Sequence, residues 1–133
     1  MTSELSESEL EFLRGAFELA RSGDLAQIAT LVDAGLPVNL TNDSGDTLLI
    51  LAAYHTHPDL VSALLDRGAD TSRVNDRGQT ALGAAVFRQS EPIVRSLLAA
   101  GADPTLGPRS ALDVATFFEL PEMLALLQES PTG

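Results

Sequence analysis

GADTSRVNDRGQTALGAAVFRQSEPIVRSLLAAGAD, residues 68–103, holds one whole turn of a repeating plan. It opens on Gly68-Ala69-Asp70 and passes a polar tip, Asn75-Asp76-Arg77-Gly78. It then runs through Thr80-Ala81-Leu82-Gly83-Ala84-Ala85 and closes with Ile93-Val94 and Leu97-Leu98 before Gly101-Ala102-Asp103 returns. The interval from Gly68 to Gly101 is not unique to that triplet. The same interval separates Gly35 from Gly68, Gly45 from Gly78, Thr47 from Thr80, and Leu64-Leu65 from Leu97-Leu98. A fixed period of this size means stacked supersecondary units.

Working outward, each unit reads as two short helices after an extended, polar hairpin. In the unit before, Asn42-Asp43-Ser44-Gly45 is the turn signal, and Thr47 is placed as the N-cap of a helix over 48–55. Pro58 opens a second helix lined by Leu60, Val61, Leu64 and Leu65, with Gly68 placed for a left-handed cap. At the N-terminus, Ser6-Glu7-Ser8-Glu9 has the form of a capping box. Leu10, Leu13, Phe17 and Ala20 follow at helical spacing, predicting a helix over about 7–21. Phe12 and Arg14 stand where a hairpin tip would be, so this unit is a cap without a hairpin. In the last unit Ser110 follows Thr80 sooner than Thr80 follows Thr47, so its hairpin has lost three positions. Met123, Leu124 and Leu127 line its second helix. The expected organisation is a single domain over 1–133: an N-terminal capping unit 7–41, units 42–74 and 75–106, a shortened C-terminal cap 107–129, and a frayed tail 130–133.

Composition narrows the function classes. The chain has 133 residues, 44% hydrophobic and only 5% aromatic, which suits close helix packing within one domain. Its net charge of −11 makes nucleic-acid and anionic-membrane binding improbable, because both need clustered basic residues. All eight basic residues are Arg. With no Cys, disulfides, thiolate metal sites and a Cys nucleophile are excluded. The acidic start has no leader-like pattern and no apolar run reaches membrane-spanning length, so a cytoplasmic location is expected.

The chain resembles ankyrin-repeat proteins of the small bacterial type, with about four repeats including degenerate caps. The matching residues are Asn42-Asp-Ser-Gly-Asp-Thr-Leu-Leu-Ile-Leu-Ala-Ala, Asn75-Asp-Arg-Gly-Gln-Thr-Ala-Leu-Gly-Ala-Ala and the Gly-Ala-Asp triplets. The resemblance implies an all-α solenoid of stacked helix-turn-helix units with short hairpin loops. It also implies a non-enzymatic module that binds a protein partner through a concave face. The family's usual Thr-Pro-Leu-His is Thr-Leu-Leu-Ile at Thr47 and Thr-Ala-Leu-Gly at Thr80, so a hydrogen-bond network that ties hairpins through that His is expected to be missing. His57 matches a family position that is usually structural.

In that arrangement the residues just after each first helix's double Ala face the binding side: Tyr54 and His55, Phe87 and Arg88, Phe117 and Phe118. Phe87 stands one full interval after Tyr54, and Phe117 follows at the shortened interval of the last unit, so the three are in step. An aromatic row of about 20 Å is expected, at about 10 Å per repeat. Phe118 is the ring that the short hairpin could most readily turn inward. The tips add Asp43, Asp46, Asp76, Arg77, Gln79 and Arg109, with Ser44. Arg67, Arg73, Arg77, Arg88 and Arg109 are expected to gather on the tip side and select an acidic partner surface. His55 and His57 lack a third ligand at defined spacing, so no metal is expected, and no cofactor or catalytic group is assigned. A second reading draws on short bacterial ankyrin-repeat proteins, similar in size and fold, that help catalase acquire haem. Tyr54 and His55 would then be the axial-ligand candidates. A third reading is an immunity or inhibitor protein for a toxin. The protein is expected to be a monomer in isolation.

Overall fold

The computed structural model describes residues 6–129. The expected tail at 130–133 and the leader reading of the first five residues lie outside them. Among the described residues the elements are α1 Glu7–Ser22, α2 Leu25–Asp33, α3 Leu48–Tyr54, α4 Pro58–Asp66, α5 Ala81–Phe87, α6 Glu91–Ala99, α7 Ala111–Phe117 and α8 Pro121–Gln128. An isolated bridge, Thr41 with Thr47, is the one piece of β-pairing among them. The odd-numbered helices pack side by side in chain order, the even-numbered ones do the same, and each odd helix rests on the even helix that follows it. This is the all-α stack of helix-turn-helix units expected above.

Local chemistry sets the helix starts. The side-chain oxygens of Thr47, Thr80 and Ser110 accept hydrogen bonds from the N–H groups of Ile50, Gly83 and Asp113. Each satisfies one donor that the first turn would otherwise leave open. Ser6 and Glu9 form the reciprocal capping box on α1. Pro58 and Pro121 begin α4 and α8, whereas Pro92 is the second residue of α6. None of these positions needs a backbone N–H, so the ring is tolerated.

Packing makes the helices stable. α3, α5 and α7 are 7 residues each, well under the roughly 12–15 that an isolated helix needs in water. Every residue of α3 from Leu48 to Ala53, and of α5 from Ala81 to Val86, is buried. Ala52, Ala53, Ala85, Ala111 and Ala115 have no exposed surface, which is how neighbouring first helices approach closely. The second layer supplies the larger side chains, among them Leu60, Val61, Leu64, Ile93, Val94 and Leu97. α1 departs from expectation. Only Ala16, Phe17 and Ala20 of it are buried, while Leu10 and Phe12 are exposed. Its 16 residues outrun the seven of α3, so its first two turns have no neighbour to cover them.

The turn from first to second helix carries stored strain. Thr56, Gln89 and Glu119 have φ of +61°, +57° and +53°. This left-handed region is disfavoured for any residue with a Cβ by roughly 1–2 kcal/mol. Gln89 is exposed, so glycine there removes strain without opening a cavity. Gln89→Gly should raise the melting temperature by roughly 2–6 °C, less whatever glycine adds to the entropy of the unfolded chain, as read by circular dichroism.

Candidate functional site

The hairpin tips are tied into a ladder. The N–H of Asp76 donates to the carbonyl of Ser44 at 2.9 Å, and that of Arg109 to the carbonyl of Gly78 at 3.2 Å. Within a tip, Asn75 Oδ1 accepts from the N–H groups of Arg77 and Gln79, as Asn42 Oδ1 does from Ser44 and Asp46. Between tips, Asn75 Nδ2 donates to Asp46 Oδ1 at 2.7 Å, and it also donates to Gln79 Oε1 in its own tip. The tips are therefore tied through backbone groups and Asn75, in place of the family's His. Spacing is tight: a Cβ on Gly78, at φ +79°, would lie 2.7 Å from Pro108 Cγ.

This ladder corrects one site residue. Asp46 is 5% exposed, enclosed by Asn75 and approached by Arg77 at 3.8 Å, so it is a structural carboxylate rather than a free tip group. Asp43, Asp76, Arg77 and Arg109 are exposed and Gln79 is half-buried.

The aromatic residues meet in one row, more compact than expected. Tyr54 and Phe87 lie parallel, with ring centroids 6.4 Å apart. Phe87 meets Phe118 edge to face at 5.5 Å, and Phe118 meets Phe117 the same way at 4.9 Å. The steps are shorter than the repeat spacing because the rings lean toward one another. Phe118 does not turn inward. It is 49% exposed and is the ring that touches Phe87, while Phe117, the residue in step with the repeat, is 78% exposed and stands outermost. Phe87 is 44% exposed.

Two grooves flank the row. One is lined by tip residues Asn42, Ser44, Arg77 and Gln79 and by Tyr54 and His55, so tips and helix ends share a single hollow. Arg21 also lines it. The sequence reading passed it over, although it stands one full interval before Tyr54 and the period alone could have found it. The other, of about 440 Å³, lies between Pro108, Arg109, Asp113, Val114, Phe117 and Phe118.

The arginines do not gather as expected. Arg67 makes a two-point bond to Asp33, linking α4 to α2 and holding that carboxyl below its usual range. Arg73 pairs with Asp70 inside its own loop. Arg88 lies over the Tyr54 ring, 5.4 Å from its centroid. The two imidazoles also part company. His57 Nε2 donates to the carbonyl of Arg21 at 2.7 Å, and its ring fills the space over Gly23, where a Cβ would collide with Nδ1. It is a strut between the first two units. His55 sits edge-on to Tyr54 at 5.2 Å. Among the described residues no cluster of three or more His, Asp or Glu side chains is placed to hold a metal ion.

Two outcomes follow. Asn75→Ala removes the amide from buried Asp46 and frees the Arg77 and Gln79 N–H groups, so it should lower stability by about 2–3 kcal/mol in urea titration. Burial, aided by Arg21, His57 and Arg88, depresses the His55 pKa below 6.5. The neutral imidazole then favours folding. As pH falls below 6.5 the unfolded chain takes up this proton first, so this contribution to stability weakens through that window. Proton NMR titration should place the His55 midpoint below 6.5, and Arg88→Ala should move it upward.

A family model described as ankyrin repeats, in three copies, matches residues 17–107. An ankyrin repeat protein of Pseudomonas aeruginosa is 47% identical over 58 residues, which are 44% of this chain and 34% of that protein. The crystal structure of the human ASB11 ankyrin repeat domain superposes with a TM-score of 0.75 at 30% identity, covering 84% of this chain and 52% of that one. The chain thus spans about a third of the bacterial relative and about half of the human domain. With more than half of its residues matched, on a stack whose caps, turn glycines and tips recur at the same spacing, the chain belongs to the ankyrin-repeat family.

Proposed function

We propose that the chain is a binding module that holds a segment of one protein partner against the row Tyr54, Phe87, Phe118 and Phe117. Ankyrin repeats are in general protein–protein interaction modules and are typically not enzymes. The observation that carries the reading is the row itself: four rings, three of them at least 44% exposed, touching in sequence beside a hollow walled by the polar tips. Single exposed hydrophobics are ordinary, but a contiguous aromatic patch with a polar rim is what the centre of an interface looks like. Beside the row, Asp46 is closed over by Asn75 and His57 is committed to a backbone carbonyl. Among the described residues no helix is long and apolar enough to cross a membrane.

The test is capture from the native lysate by the wild type beside a Phe87→Ala, Phe118→Ala double variant. Both rings are half outside, so helicity and melting should be little changed. Capture of the specific partner should drop by at least about tenfold, as for the loss of aromatic anchors. Undiminished capture by the double variant removes the row as the binding surface.

A further inference from the structure

We propose that the segment held by this row is acidic: an extended stretch with an apolar anchor and carboxylates beside it. This rests on the binding role proposed above and narrows the chemistry of its partner. The chain has 19 acidic residues against eight arginines, more than two carboxylates for every guanidinium. Arg21, Arg67, Arg73, Arg77 and Arg95 each pair with at least one. Of the others, Arg14 belongs to α1, remote in sequence from the rings. Arg88 and Arg109 form no ion pair among the described residues, and both stand at the aromatic row.

Arg88 follows Phe87 directly, with its guanidinium above the Tyr54 ring. Its side chain is exposed and forms no ion pair among the described residues, so its N–H groups remain available to a carboxylate, which a guanidinium receives two-point. Arg109 borders the groove that ends on Phe117 and Phe118. At about 440 Å³ that groove accommodates a large apolar side chain. Steps of 6.4, 5.5 and 4.9 Å along the rings make a path that about five extended residues cover. An apolar anchor in the groove thus leaves neighbouring side chains near one cation or the other.

The acidic groups nearby are Asp113 in the same groove, Asp46 in the hollow beside Tyr54 where Arg77 approaches it, Glu18 acting on His55, Glu119 directly after Phe118, and Asp43 and Asp76 on the tips. None neutralises Arg88 or Arg109. The chain's charge of −11 opposes an acidic partner at long range, but screening over about 8 Å in physiological salt leaves contact-range charges to decide.

A phage-displayed library of random peptides, each about a dozen residues long, panned on the folded chain, tests this. Binders are kept only if the Phe87→Ala, Phe118→Ala variant does not retain them. They should be enriched in Asp and Glu near an aromatic or large aliphatic residue. As synthetic peptides they should bind an Arg88→Glu, Arg109→Glu variant at least about tenfold more weakly. Panning on that variant should instead select Lys and Arg. Ring-dependent binders with no acidic enrichment, or equal affinity for the charge-reversed variant, overturn the acidic assignment and leave the binding row standing. Panning that yields no ring-dependent binder overturns both.

Discussion

No helix pair in this chain can bury its own apolar surface, and everything else follows from that. A seven-residue helix has too few internal hydrogen bonds to persist alone, so α3, α5 and α7 exist because each is clamped between its neighbours. The clamp requires close approach, which is why the odd layer is rich in Ala and the even layer carries Leu, Ile and Val. It also requires that successive units keep the same rotation and rise. The tip ladder provides that constraint at the hairpin end, through Asp76 N–H to Ser44 and Arg109 N–H to Gly78. In the second-helix layer, the cross-unit pairs Arg67 with Asp33 and Arg95 with Glu129 link neighbouring units. These last are exposed and contribute little energy, but they favour one register over another.

The same constraint decides where recognition can sit. When six of seven residues in a first helix are buried, only the seventh and its cap residue are free to vary. In α3 those are Tyr54 and His55, and in α5 Phe87 and Arg88. In α7, the last first helix, only Ala111 and Ala115 are buried, and Phe117 and Phe118 hold the matching positions at its end. A row of chemically distinctive side chains at the C-terminal ends of the first helices is therefore the natural place for specificity in a fold whose interior is committed. The left-handed turn just beyond, at Thr56, Gln89 and Glu119, reverses the chain at once, so no further residue of the helix can follow the row.

How much of this was readable beforehand depended on range. The caps at Thr47, Thr80 and Ser110 and the turn glycines act within a few residues, and their spacing exposed the whole stack. Features made by side chains from different units were not readable. Asp46 looks like a tip carboxylate until Asn75, 29 residues away, is seen to close over it. Arg67 looks available until Asp33, 34 residues back, takes it. The shortened hairpin misled in a subtler way. Counting placed Phe117 next to Phe87, but Phe118, one position on at the end of α7, is the ring that makes the contact. A period gives the order of positions along a stack, not the direction in which long side chains lean.

Core and surface are thus nearly separate, and this bears on how such a chain could acquire a new partner. The first-helix interior tolerates almost no change, since a methyl added at Ala53 or Ala85 has nowhere to go. Phe87, Arg88, Phe117 and Phe118 are exposed, and the ladder that orients them rests on backbone groups and on Asn75, not on the rings themselves. In the binding role proposed above, substituting the row alters affinity while leaving the stack's stability to the alanines and leucines beneath it. Arg88 is the informative exception, because its position over Tyr54 couples charge to ring geometry. A change at residue 54 alters the setting of the cation as well as the aromatic surface, so in the proposed binding role the two act together. Their effects on binding should not add.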